Sequence, residues 1–284
     1  MKLKPIGLSL FLLALVAGCA ALAPAKLLNA AIPKSGFELR EQAYGSDARQ
    51  RMDIYLPKQK ATGKAPIVFV FGGAWRSGSK EDFLFVAEAL TALGYPVIIP
   101  NYRLYPAVKF PEIIDDVSQA IAYLETQATS LLGEPLQPFI LMGHSSGAHT
   151  AALLATKSPY LQKFGVKTAV KALIGLAGPY DLPLELEEVA QVFGKADPQA
   201  VNATLNLPAH IPPTLLLHGE ADDRVLPKHS RRFAEALQQR QAEMELHIYP
   251  KVDHVRVLAS LAKPLRSLNP SYPDISAFLA KHNL

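Results

Sequence analysis

One cysteine and one tryptophan occur in 284 residues, and both scarcities exclude something. A lone thiol at Cys19 rules out an intrachain disulfide, so the fold has to be held by its buried core. No paired Cys/His spacing suggests a metal centre, and no glycine-rich phosphate loop is present, so no cofactor is expected. Charge is sparse: 19% of residues are charged against 49% hydrophobic, with a formal net charge of +4. That balance describes a well-buried globular chain rather than a disordered one. Without a Lys/Arg block, the small positive excess gives no electrostatic footprint for nucleic acid. Repeats and low-complexity segments are missing as well. The chain has the length of one large α/β domain or two small ones, and no break in composition argues for two.

What is present alternates. Residues 37–44 and 50–56 read as two strands joined around Gly45-Ser46-Asp47. In the second, Arg51, Asp53 and Tyr55 alternate with Met52, Ile54 and Leu56, the pattern of a half-buried antiparallel edge. The continuous apolar run at 66–71 suits a strand buried on both faces, the apolar run that begins at Pro138 and ends at Gly143 has strand character, 169–176 reads as another buried strand, and 95–99, 213–217 and 244–249 read as further strands. Helical spacing is found over 80–93, 111–127, 148–156, 228–240 and 271–282, with Ser79 and Asp82 placed to form a capping box on the first. Strands alternating with helices of this length predict βαβ crossovers and a mostly parallel sheet covered on both faces. Ligands bind at the carboxyl ends of such strands.

One of those ends carries Gly143-His144-Ser145-Ser146-Gly147, directly between a strand pattern and a helix pattern. Gly-x-Ser-x-Gly in that context is a nucleophile elbow: a sharp turn lifts the serine hydroxyl above the sheet. The glycines are required because side chains there would strike the neighbouring strand or helix. A serine needs a base, and the base an orienting carboxylate. Downstream, Asp222 lies in the turn after one strand and His254 in the loop after the next, giving the chain order Ser, Asp, His. Asp223 is the rival acid and reads as a solvent-facing turn residue. His218 fits a structural histidine bonded to the following turn, His144 a residue that lines the pocket or packs, and His149 a core or surface residue. Asp253 reads as a loop carboxylate and Asp181 as a structural group at the end of its strand. Charge developing on the attacked carbonyl oxygen calls for preorganised donors. The Ser146 N–H is one, and Gly72-Gly73-Ala74-Trp75, just past the first buried strand, supplies the others. Trp75 either walls the substrate pocket or packs as core.

Phe71-Gly72-Gly73-Ala74-Trp75, Asn101-Tyr102-Arg103-Leu104, Gly143 to His149, His218 to Asp222, and His254 fall in one order along the chain. Together they resemble the α/β-hydrolase carboxylesterases of the His-Gly-Gly-Gly-Trp type. That group is related to the hormone-sensitive lipase-like esterases and has formamidase-like and feruloyl or acetyl esterase-like members. The resemblance runs from about Met52 to the end. It implies an eight-stranded sheet, a Ser145/His254/Asp222 triad, and an oxyanion hole from the Gly73, Ala74 and Ser146 N–H groups. The family's leading histidine is Phe71 here and its third glycine is Ala74. Phenylalanine cannot make the hydrogen bond by which that histidine fixes the loop, and its ring is expected near the mouth of the pocket beside Trp75 and His144.

The N-terminus adds a second signal. Met1-Lys2-Leu3-Lys4 is basic, Ile6 to Ala17 apolar but short for a membrane span, and Val16-Ala17-Gly18-Cys19 a small-residue junction. The junction resembles the lipobox of bacterial lipoproteins, which implies cleavage before Cys19 and its lipidation. Ala20 in second place implies the outer membrane. The alternative is an ordinary signal peptide cut near Ala23.

The expectation is therefore a leader over 1–18, a tether over 19–36 and an α/β-hydrolase domain over 37–284 with a small lid from residues 182–211. The chain is expected to cleave small to medium carboxylic esters through an acyl-enzyme, anchored by lipid at the cell envelope and facing the periplasm. Amide hydrolysis on the same fold, and a catalytically silent binding protein, stay open as alternatives.

Overall fold

The computed structural model describes residues 28–59 and 63–284. The leader, Cys19 and its junction lie outside the described residues. Of the stretch expected as a tether, Ile32 is buried and Asn29 donates to the Glu81 carbonyl at 2.9 Å and accepts from the Phe85 N–H at 3.2 Å, while residues 33–36 are exposed.

Among the described residues eight strands form one sheet: β1 (Phe37–Ala43), β2 (Arg51–Pro57), β3 (Ile67–Val70), β4 (Val97–Pro100), β5 (Phe139–His144), β6 (Val170–Leu176), β7 (Thr214–Gly219) and β8 (Met244–Tyr249). Their spatial order is β1-β2-β4-β3-β5-β6-β7-β8. Only the β1–β2 and β2–β4 pairs are antiparallel; β4 to β8 run parallel. Every residue of β3, β4, β5 and β7 is buried, as continuous apolar runs demand when helices cover both faces. Among the described residues the helices include α1 (Leu84–Thr91), α2 (Glu112–Leu132), α3 (Ser146–Thr156), α4 (Ser158–Gln162), α5 (Glu187–Phe193), α6 (Pro198–Val201), α7 (Lys228–Gln239), α8 (Arg256–Ala259) and α9 (Ser271–Lys281). The chain has the α/β-hydrolase fold, with β5 and α3 at its centre.

Three local expectations need correction. β2 is not an edge strand, because β1 takes the outer place, and Asp53 and Tyr55 are buried in spite of the alternation. A buried Lys80 makes this possible: its ammonium donates to Asp53 at 2.7 Å and to Glu41 at 2.9 Å, while the Tyr55 hydroxyl donates to Asp53 at 3.0 Å. No capping box forms at Ser79, whose hydroxyl bonds the Glu81 carboxylate, and the segment opens as a 3₁₀ turn over Lys80–Phe83 before α1. α2 continues past Gln127 to Leu132, where Gly133 at φ 85° ends it, a conformation glycine enters without a Cβ penalty. Residues 182–211, the expected lid, carry only the short α5 and α6.

Candidate active site

At the β5–α3 junction Ser145 sits at φ 55°, ψ −128°, a region costly for any residue with a side chain and kept only where the surroundings enforce it. The enforcement is visible on either side. A Cβ on Gly147 would lie 2.0 Å from the Val70 carbonyl oxygen, and one on Gly143 would lie 2.4 Å from that of Gly147. The Ser145 N–H donates to the Leu176 carbonyl at 2.9 Å, which pins the turn to β6.

The loops after β7 and β8 converge on this turn. His254 Nε2 is 2.9 Å from Ser145 Oγ, and His254 Nδ1 is 2.7 Å from Asp222 Oδ2. A carboxylate only accepts, so Nδ1 carries a proton toward Asp222, and Nε2 is the nitrogen within hydrogen-bonding distance of the serine hydroxyl. The two loops are tied by their backbones: the Glu220 N–H donates to the Tyr249 carbonyl and the Ala221 N–H to that of Val252, both at 2.9 Å. Asp223, the rival acid, is exposed to solvent.

Asp222 itself is buried. Burial pushes its carboxyl pKa up, but hydrogen bonds from His218 and His254, the His254 charge and the Val225 N–H pull harder, holding it well below the usual carboxylate range. Its Oδ1 accepts from the Arg224 and Val225 N–H groups at 3.0 and 2.9 Å. His218 Nε2, 2.8 Å from the Val225 carbonyl, must bear a proton, and it lies 3.2 Å from Asp222 Oδ2. The structural reading of His218 thus holds, with a contact to Asp222 that its sequence position does not disclose.

His144 packs instead of titrating. Burial pushes its pKa down to about 3, and its Nε2–H donates to the His254 backbone carbonyl at 2.9 Å. The elbow thereby clasps the loop that carries the ring facing its own serine. Asp253 accepts from the Val255 and Arg256 N–H groups at 3.0 and 2.8 Å, just ahead of α8. Asp181 pairs with His229 and Arg232 on α7.

The Gly72–Trp75 loop lies against the nucleophile: a Cβ on Gly72 would stand 2.8 Å from Ser145 Cβ. Gly73 at φ 136°, followed by Ala74 at 52° and Trp75 at 60°, folds the loop into a turn closed by the Arg76 and Ser77 N–H groups on the Gly73 carbonyl at 2.9 and 3.1 Å. Ala74 is exposed, and Ser146, first in α3, has no acceptor for its N–H within the helix. This arrangement can bind an anionic oxygen above Ser145.

Phe71 is not at the mouth. It is wholly buried, stacked on Phe83 and Tyr102 with ring centroids 5.4 and 4.7 Å apart. The hydrogen bond it cannot make comes from elsewhere, since the Tyr102 hydroxyl donates to the Phe71 carbonyl at 2.8 Å. Trp75 is buried in contact with His149 and with Phe193 of α5. His149 Nε2–H donates to the Val201 carbonyl at 2.7 Å, linking α3 to α6. Among the described residues, no group of three or more His, Cys, Asp or Glu is arranged to hold a metal ion.

A serine, an imidazole and a carboxylate in bonding order at the carboxyl edge of this sheet define a hydrolase-type site on an α/β-hydrolase fold. Residues 52–237 match the BD-FAE family model, and the chain belongs to that family of hormone-sensitive lipase-like α/β-hydrolases. It is 30% identical over 254 residues to an isoprenylcysteine alpha-carbonyl methylesterase of Arabidopsis thaliana, covering 80% of this chain and 58% of that protein, so it spans less than two thirds of that relative's length. A kynurenine formamidase of Salmo salar is 23% identical over 77% of this chain and 75% of its own. Among solved structures, esterase B of Lactobacillus rhamnosis superposes with a TM-score of 0.76 at 19% identity, covering 98% of this chain and 97% of that one, a likeness of fold.

Proposed function

We propose that the chain is a serine hydrolase that cleaves small to medium carboxylic esters through an acyl-enzyme. The observation that carries this reading is the unbroken hydrogen-bond line from Ser145 Oγ through the His254 ring to Asp222, at 2.9 and 2.7 Å. His254 Nε2 takes the Ser145 proton as Oγ attacks the ester carbonyl carbon. The Gly73, Ala74 and Ser146 N–H groups receive the oxyanion. As the tetrahedral adduct collapses, the C–O bond to the alcohol breaks and His254 returns the proton to the leaving oxygen. His254 then deprotonates a water that attacks the acyl carbon, and the acid departs with Ser145 restored. Asp222, held ionised, keeps the Nδ1–H tautomer throughout and stabilises the imidazolium.

A fluorophosphonate probe and p-nitrophenyl acetate and butyrate test this together. Labelling and hydrolysis are expected for the chain, with kcat falling by about 10⁴- to 10⁶-fold in Ser145→Ala. No labelling of the native chain counts against an enzyme and supports the silent binding protein. Amide cleavage is the second reading, favoured by the formamidase among the relatives. Triad chemistry is common to both and pocket shape decides, so hydrolysis of an N-formyl aromatic amine faster than of the esters would replace the first reading with the second.

Anchoring belongs to the proposal too. The basic start, short apolar stretch and Val16-Ala17-Gly18-Cys19 junction support a lipidated Cys19 at the outer membrane, facing the periplasm. Growth in labelled palmitate is expected to label the chain, and Cys19→Ala to abolish the label; undiminished incorporation in the variant refutes the anchor.

A further inference from the structure

Two buried ring nitrogens beside the elbow have no hydrogen-bond partner: Nε1 of Trp75 and Nδ1 of His149. Trp75 is 5% exposed and His149 0%. Leaving such an atom unpaired is costly, so a pair of them calls for an explanation.

They are of opposite kind. An indole N–H can only donate. His149 Nε2 bears the ring proton, because its partner, the Val201 carbonyl 2.7 Å away, can only accept. Burial pushes the His149 pKa down to about 4, so the ring is neutral and Nδ1 is a bare acceptor. The two rings touch, with centroids 5.4 Å apart and planes at 86°. Both are built onto the reacting centre: Trp75 directly follows Ala74, and the His149 N–H donates to the Ser145 carbonyl at 3.2 Å. Phe193 on α5 lies against both rings, at 4.8 and 5.6 Å. An orphan donor and an orphan acceptor are thus carried on two touching rings, one beside the Gly72–Ala74 loop and one on the first turn of α3, with Phe193 of α5 against both.

Resting on the hydrolase reading above, we infer that Trp75 Nε1 and His149 Nδ1 bind a hydroxyl group that the substrate carries close to its scissile carbonyl. The hydroxyl oxygen accepts from the indole N–H and its proton goes to the imidazole. A hydroxyl suits the pair because a single oxygen both accepts and donates. A hydrocarbon at this place leaves both nitrogens unpaired, a carboxylate meets the His149 lone pair, and an ammonium meets the indole N–H. The preferred ester is therefore neutral and hydroxylated, and the hydroxyl can lie on the acyl or on the alcohol side. α5, through Phe193, is the element that must yield to admit it.

Because Trp75 is the one tryptophan of the chain, ¹⁵N labelling gives a single indole signal. Ser145→Ala, which holds esters uncleaved, is titrated with methyl 3-hydroxybutyrate (acyl side), 2-hydroxyethyl butyrate (alcohol side) and methyl butyrate (no hydroxyl). The indole signal is expected to move with one hydroxylated ester, which identifies the side, and not with methyl butyrate. In the native enzyme kcat/KM for that ester should exceed its deoxy counterpart by about tenfold, a ratio collapsing to about one in Trp75→Phe. An indole signal unmoved by either hydroxylated ester, or moved equally by methyl butyrate, overturns the inference. So does a signal coupled to the same long-lived water under all three ligands, which makes water the sole occupant. If Trp75→Phe fails to fold, the titration still decides. If the native chain hydrolyses no ester, the hydrolase reading falls while the titration reports on this site alone.

Discussion

The proposed line of Ser145, His254 and Asp222 depends on a second set of groups that holds it in place. Asp222 accepts two backbone N–H groups on Oδ1 and faces both His218 and His254 on Oδ2. Both of its oxygens are thus hydrogen-bonded inside the protein, which favours the ionised form of a buried carboxylate. Asp222→Asn tests that role: the amide can donate to His254 Nδ1, which inverts the tautomer and turns the wrong nitrogen to Ser145. A loss of about 10⁴-fold in kcat with the fold intact is expected. Steady-state kinetics beside circular dichroism check it, and a loss below tenfold removes Asp222 from the mechanism.

At the scale of elements, the site depends on how β3, β4 and β5 end next to one another. Phe71 leaves β3 buried in an aromatic stack, and Tyr102, two residues past β4, fastens the Phe71 carbonyl with its hydroxyl at 2.8 Å. The loop that follows can then meet Ser145 without a histidine at position 71. Tyr102→Phe keeps the stack and deletes the bond. It is expected to lower stability by about 1 kcal/mol and to reduce kcat more than it raises KM, because donors to the oxyanion act mainly in the transition state. An unchanged kcat in a variant with a lowered urea midpoint leaves Tyr102 a purely structural residue.

Over the whole molecule, burial couples this site to acid stability. His144 and His149, inside the fold, have pKa values pushed down to about 3 and about 4, whereas an unfolded imidazole titrates near ~6.5. As pH falls, the unfolded chain takes up protons that the folded chain refuses, so their contribution is intact above about 6.5 and is lost progressively as pH drops through those lower values. Asp222 adds to the loss below ~4, where unfolded carboxyls protonate while the folded one is held ionised. Urea midpoints should therefore decline from pH 7 to pH 4 at constant m-value, and a level profile contradicts the buried neutral histidines.

Eight strands, the crossover pattern, the elbow and the order of Ser145, Asp222 and His254 were legible from residue order alone. Strand periodicity and turn chemistry are local properties, and the elbow announces its own strain through Gly143 and Gly147. The tertiary structure decided what depends on partners distant in sequence. Asp53 is buried because Lys80 reaches it, Phe71 leaves the pocket mouth because Tyr102 and Phe83 stack on it, and His218, His144 and His149 find roles only once other loops arrive. A side chain's polarity is written in the chain, but whether water or protein satisfies it is settled only when the chain has closed around it.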